Sequence, residues 1–102
     1  MPTKSQYVVG DTNTTLLEAG TASKVKSIIF VGFYETEVQL VDIRMGSTQY
    51  ICKNLKVNGG STLIIDDPSL LTYDTDTLDL VLNFTRDGSA SSTTAYVTVN
   101  WI

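Results

Sequence analysis

Histidine is absent from this chain of 102 residues, cysteine occurs once and proline twice. Zinc sites and most acid–base chemistry near neutral pH draw on His or Cys clusters, and none can be assembled here. The lone Cys52 closes no internal disulfide, so the core must hold the fold unaided. Basic residues are few as well. Seven Lys and Arg face eleven Asp and Glu, for a net charge of -4. That balance leaves no electrostatic footprint for DNA or RNA and no polybasic patch for anionic lipid. Long apolar runs are missing too. The longest, Ile28 to Val31, is far too short to span a bilayer. The segment Met1 to Asp11 has no apolar stretch of signal-peptide type, so a soluble protein made in a cytoplasm is expected. No nucleophile–base pair is evident, which disfavours an enzyme. No cofactor and no metal are expected.

Helical periodicity is the last absence. Thr14 to Ala19 fits one helical turn, but Thr14-Thr15-Leu16-Leu17 reads equally well as a strand. What the chain does carry is a globular composition, 42% hydrophobic and 18% charged, and repeated β signals. Its length suits one domain with a real core. Leu78, Leu80, Leu82 and Phe84 alternate with mostly polar neighbours, as do Ala95, Val97, Val99 and Trp101. Period-2 alternation places one face on a core and the other in water. The two faces are expected to share one core, with Trp101 inside it. Between them, Thr85 to Thr93 contains Asp-Gly and a run of serines, the marks of a hairpin loop.

The earlier strands are less regular. From Ser23 to Phe33, Val25, Ile29, Val31 and Phe33 share one phase, and Ile28 and Phe30 occupy the other behind Lys24 and Lys26. From Thr36 to Met45 the apolar phase slips at Leu40-Val41, which predicts a β-bulge there. Gly46-Ser47 and Asn58-Gly59-Gly60 are turns, and Thr48 to Val57 is one bent strand or two short ones. Asp66-Asp67-Pro68 ends the next strand, Ser61 to Ile65, and Leu70, Leu71 and Tyr73 form a short apolar segment. Together these elements predict an all-β fold. We expect a two-sheet antiparallel β-sandwich of about eight strands, jelly-roll or immunoglobulin-like, over residues 13–102. Residues 1–12 are too weakly patterned to hold themselves and are expected to form an arm that orders on a partner.

The candidate sites are thin. Asp66 and Asp67, and Asp74 and Asp76, are paired carboxylates of the kind that serve hydrolysis or calcium binding. Asp also ends strands and starts turns by bonding nearby backbone, and that reading is preferred. Cys52 lies in the apolar run Tyr50-Ile51-Cys52-Lys53 and reads as an inert, buried thiol. Asp42 and Arg44 lie two apart on one strand face, which suggests an ion pair with a neighbouring strand. The aromatics Tyr7, Tyr34, Tyr50, Tyr73, Tyr96 and Trp101 offer material for a sugar platform, and Phe33, Tyr34 and Tyr96 for surface contacts.

The order of segments carries a resemblance. Thr14 to Ala19 and Ala22-Ser23-Lys24-Val25-Lys26-Ser27-Ile28-Ile29-Phe30-Val31 come first, followed by Val38 to Arg44 and Tyr50-Ile51-Cys52-Lys53-Asn54. Val57-Asn58-Gly59-Gly60-Ser61-Thr62-Leu63-Ile64-Ile65-Asp66-Asp67-Pro68 and Val97-Thr98-Val99 complete the series. Over about residues 13–102 it resembles the small β-sandwich virion proteins of tailed bacteriophages, with Asp74-Thr75-Asp76 in the place of the turn that follows Asp-Asp-Pro. The matching motifs are structural and not catalytic.

The resemblance implies a structural virion component made in a bacterial host cytoplasm: a capsid decoration (cement) protein, or an accessory of the neck or tail. The implied partners are the major capsid protein or neck and tail proteins. A homo-oligomer is expected, with a trimer the first guess. The arm and the Thr85 to Thr93 loop are the expected contacts, which makes Gln6, Tyr7, Val8, Val9, Tyr34, Arg86 and Asp87 the candidate interface. The alternative is a carbohydrate- or receptor-binding module of a tail fibre or secreted enzyme.

Overall fold

The computed structural model describes residues 2–32, 38–72, 74–86 and 94–102. Eight strands run in chain order: β1 (Thr3–Val9), β2 (Thr14–Leu17), β3 (Val25–Gly32), β4 (Val38–Met45), β5 (Gln49–Asn58), β6 (Thr62–Ile65), β7 (Leu80–Arg86) and β8 (Thr94–Trp101). They form two antiparallel four-stranded sheets, ordered β1-β8-β3-β6 and β2-β7-β4-β5. The expected two-sheet sandwich is therefore the fold. Its pairing follows one rule: β1 with β8, β2 with β7, β3 with β6 and β4 with β5. That is a long hairpin folded over on itself, the jelly-roll of the two alternatives.

The core lies between the sheets. Leu80, Leu82 and Phe84 of β7 and Ala95, Val97 and Val99 of β8 are all buried, as their alternation requires. Phe30 meets Phe84 edge to face, with ring centroids 5.3 Å apart, and so joins the two sheets at their centre. Leu71, just past a short 3-10 turn at Pro68–Leu70, is buried and closes the core at the lower end. Leu78 precedes β7 and only packs against the core, as does Trp101.

Three expectations need correction. Residues 1–12 are not an unpaired arm. Thr3 to Val9 pair residue by residue with Asn100 to Thr94, and Val8 is buried. The pairing partner lies at the far end of the chain, so local patterning carries no trace of it. In β3 the inward side chains are Val25, Ile28 and Phe30, because a register shift against β8 between Val25 and Ser27 reverses the phase. Ile29 and Val31 consequently sit on the outer face. The bulge expected at Leu40-Val41 does not exist. β4 alternates without a break, and Gln39, fully buried, takes the inward place that no apolar residue fills. The irregularities belong to its neighbour β5, whose register shifts twice against β4. Asn54 adopts φ 51 there and donates its N–H to Asp42 Oδ1 at 2.6 Å.

Candidate functional site

Jelly-roll pairing sorts the connections by end. The ends of β1, β3, β5 and β7 and the starts of β2, β4, β6 and β8 all lie at one end of the sandwich. Two of the candidate interface residues, Val9 and Arg86, therefore lie at the same end, although they are far apart in the sequence. Val9 ends β1, Arg86 ends β7 opposite Gln39, and Thr94 begins β8 opposite Val9. Tyr34 and Asp87 lie outside the described residues.

Within β1 the four candidates divide. Val8 faces the core at 1% exposure and is a packing residue, not a contact. Gln6 is partly buried on the same face. Tyr7 and Val9 face outward, 70% and 45% exposed. The Tyr7 ring meets that of Tyr96 edge to face at 5.0 Å. This pair opens a row that continues through Val31, and Ser5, Thr98, Ile29 and Ile64 make the next row. Strand alternation gives the paired outward rows of this sheet hydroxyl, amide, aliphatic and aromatic side chains. Among the described residues, the outward positions of these paired rows carry no acidic or basic side chain, and the one charge within β3, Lys26, falls at its bulge. The other sheet turns Asp42 and Arg44 of β4 outward. The neutral face went unnoticed in the sequence because it is shared by four strands that are distant in the chain.

Every described carboxylate bond serves a turn or a bulge. Asp67 Oδ1 accepts from the Ser69 N–H at 2.9 Å and hydroxyl at 2.8 Å, and these bonds hold its carboxyl below the usual range. Asp74 is lowered first by the Thr77 hydroxyl at 2.7 Å and then by the Asp76 N–H at 2.8 Å. Asp79 accepts from the Ala19 N–H at 2.7 Å and ties the start of β7 to the end of β2. Among the described residues, no group of three His, Cys, Asp or Glu is placed to hold a metal ion. The Cys52 thiol is half-buried and donates weakly to the Val41 carbonyl at 3.7 Å. Burial pushes its pKa up, the Ile43 backbone hydrogen bond opposes this and Asp42 adds to it, so little nucleophilic thiolate forms.

Two further features were not legible in the sequence. A groove of about 330 Å³ runs along the open side of the sandwich between the β1 and β2 edges, and its walls include Lys4, Thr15, Glu18, Thr21 and Trp101. Trp101, expected in the core, is only partly buried because β8 ends where this groove opens. The second feature is Gln39. Neither of its side-chain amide atoms has a hydrogen-bond partner among the described residues, and a Cβ on Gly32 of the facing sheet would lie 2.7 Å from its Oε1. No family model, curated protein or solved structure matches this chain.

Proposed function

We propose that this protein is a non-catalytic structural component of a tailed-bacteriophage virion, a capsid decoration protein that binds and stabilises the shell. The observation that carries the reading is the run of uncharged outward rows across the β1-β8-β3-β6 sheet, in which Tyr7, Val9 and Ile64 are exposed in a chain of net charge -4. A neutral face with a tyrosine pair suits a protein partner, since charged residues are depleted and Tyr enriched at the cores of interfaces. The segment-order resemblance to small phage virion proteins supplies the partner class: the major capsid protein, or a neck or tail protein. The jelly-roll agrees with it by analogy, because capsid domains are among its users. Repetition around a shell turns a modest contact into firm attachment.

The test is co-sedimentation with particles assembled from the genes beside this one. Saturable binding that Tyr7→Glu and Ile64→Glu weaken together supports the reading. Failure of the unmodified protein to sediment with capsids or tails removes it. A second reading, a carbohydrate-binding module, is favoured by the groove, where the Trp101 indole stands among Lys4, Glu18 and two threonine hydroxyls. Retention on a glycan array that Trp101→Ala abolishes would put this reading first.

A further inference from the structure

The sandwich has four sheet edges, β1 and β6 in one sheet and β2 and β5 in the other. An edge strand offers unpaired backbone groups to any passing strand, and proteins usually blunt such edges. Three of the four are blunted. β6 is four residues long. β2 has four residues and a register shift. β5 is bulged twice and carries exposed Lys53 and Lys56. β1 has only one such device, the exposed Lys4. It runs for seven residues in unbroken register with β8, contains no proline, and has Lys4 as its single charge.

The direction of its free side is fixed by one bond. The Trp101 N–H donates to the Pro2 carbonyl at 3.1 Å. Antiparallel ladders alternate, so Lys4, Gln6 and Val8 aim their backbone groups at β8, whereas Thr3, Ser5 and Val9 aim theirs away from the sheet.

We infer that β1 is the seam of a homodimer, in which β1 strands of two copies pair antiparallel about a twofold axis through Gln6 and join the two sheets into one of eight strands. The second copy is the occupant that the charges and the register favour. Two molecules of net charge -4 meet here without a carboxylate on either β1 strand. The register sets Lys4 opposite Val8 of the second copy. The two Lys4 residues are then about 14 Å apart along the strands, beyond the ~8 Å screening length at physiological salt. Thr3 faces Val9 of the second copy, so the outward backbone groups meet in phase. The two Tyr7 rings fall diagonally across the seam, about 7–8 Å apart and within aromatic reach. With the Tyr96 rings they form one cluster on the neutral face. Antiparallel edge pairing is isologous and closes at two copies, unlike the threefold arrangement expected from the resemblance. A seam about 24 Å long is small for a stable interface, so the dimer is weak and forms at high concentration.

Sedimentation velocity from micromolar to millimolar protein tests this seam. The unmodified chain should show reversible monomer–dimer exchange. Ser5→Pro should weaken dimerisation at least tenfold and leave the fold intact, because the N–H it removes points away from β8. Ser5→Lys, which places a second charge on the seam, should weaken it as well and decides the matter if the proline variant does not fold. A chain that stays monomeric at millimolar concentration overturns the inference, as does a species larger than a dimer or a dimer indifferent to both folded variants. The seam does not rest on the virion reading. Particle binding without dimerisation, or dimerisation without particle binding, tells the two apart.

Discussion

Gln39 is the one buried polar side chain among the described residues, and its amide atoms have no hydrogen-bond partner. A buried polar group without a partner destabilises by roughly 1–3 kcal/mol, so an apolar side chain of the same length should be better tolerated. Gln39→Met is expected to raise stability by about 1 kcal/mol, which is about 4–8 °C in Tm for a domain of this size. Thermal unfolding followed by circular dichroism checks the sign. The partner of this residue is Gly32, which is glycine because Gln39 Oε1 occupies the space a Cβ would need. Gly32→Ala should therefore destabilise more in the unmodified chain than in a Gln39→Ala background. A double-mutant cycle in urea reads that coupling, and strict additivity would show that the contact is absent. In the sequence the apolar phase slips at Leu40-Val41, immediately after Gln39. A polar residue at an inward position looks like a break in the pattern until its neighbours are known.

At the scale of elements the decisive strand is β1. Its sequence is polar from Thr3 to Gln6 and shows one inward apolar residue, Val8, which is why it reads as an arm. What orders it is the ladder to β8 and the burial of Val8 over the core. Val8→Ala removes about two methylene-sized groups from a buried site, and the expected loss is roughly 2 kcal/mol. Deleting residues 1–9 should cost more, because it also strips the hydrogen-bonding partner from β8 and leaves that central strand as a new edge. Urea midpoints of the two variants, compared with the unmodified protein, measure the ranking. A truncated chain as stable as the full one would restore the arm. β7 and β8 present the opposite case. Their inward residues alternate over whole strands, so their facing was readable directly and the burial of Leu80, Leu82, Ala95, Val97 and Val99 matches it.

At the scale of the whole molecule, jelly-roll pairing makes the contacts long-range. The first strand pairs with the last and the second with the seventh. Loop closure must precede these contacts, and chains dominated by them fold slowly. Refolding from urea, followed through the single Trp101, is expected in milliseconds to seconds. Microsecond folding in a stopped-flow or temperature-jump experiment would contradict the topology. The same pairing gathers the ends of β1, β3, β5 and β7 at one end and brings the uncharged outward rows of four strands onto one sheet face. The face on which the functional proposal depends is thus a product of topology.

The sequence by itself determined that this is an all-β chain with no histidine and a single cysteine, and it determined the inward faces of β7 and β8. Those are local properties: composition, and a period of two within one strand. Only the tertiary structure decided that residues 3–9 are a strand, that β3 faces the core through Ile28 and Phe30, and that Val8 and Tyr7, adjacent in the chain, belong to the core and the surface respectively. Strand pairing across 90 residues and a one-residue bulge each change which face a side chain occupies, and neither leaves a mark on the segment it acts upon.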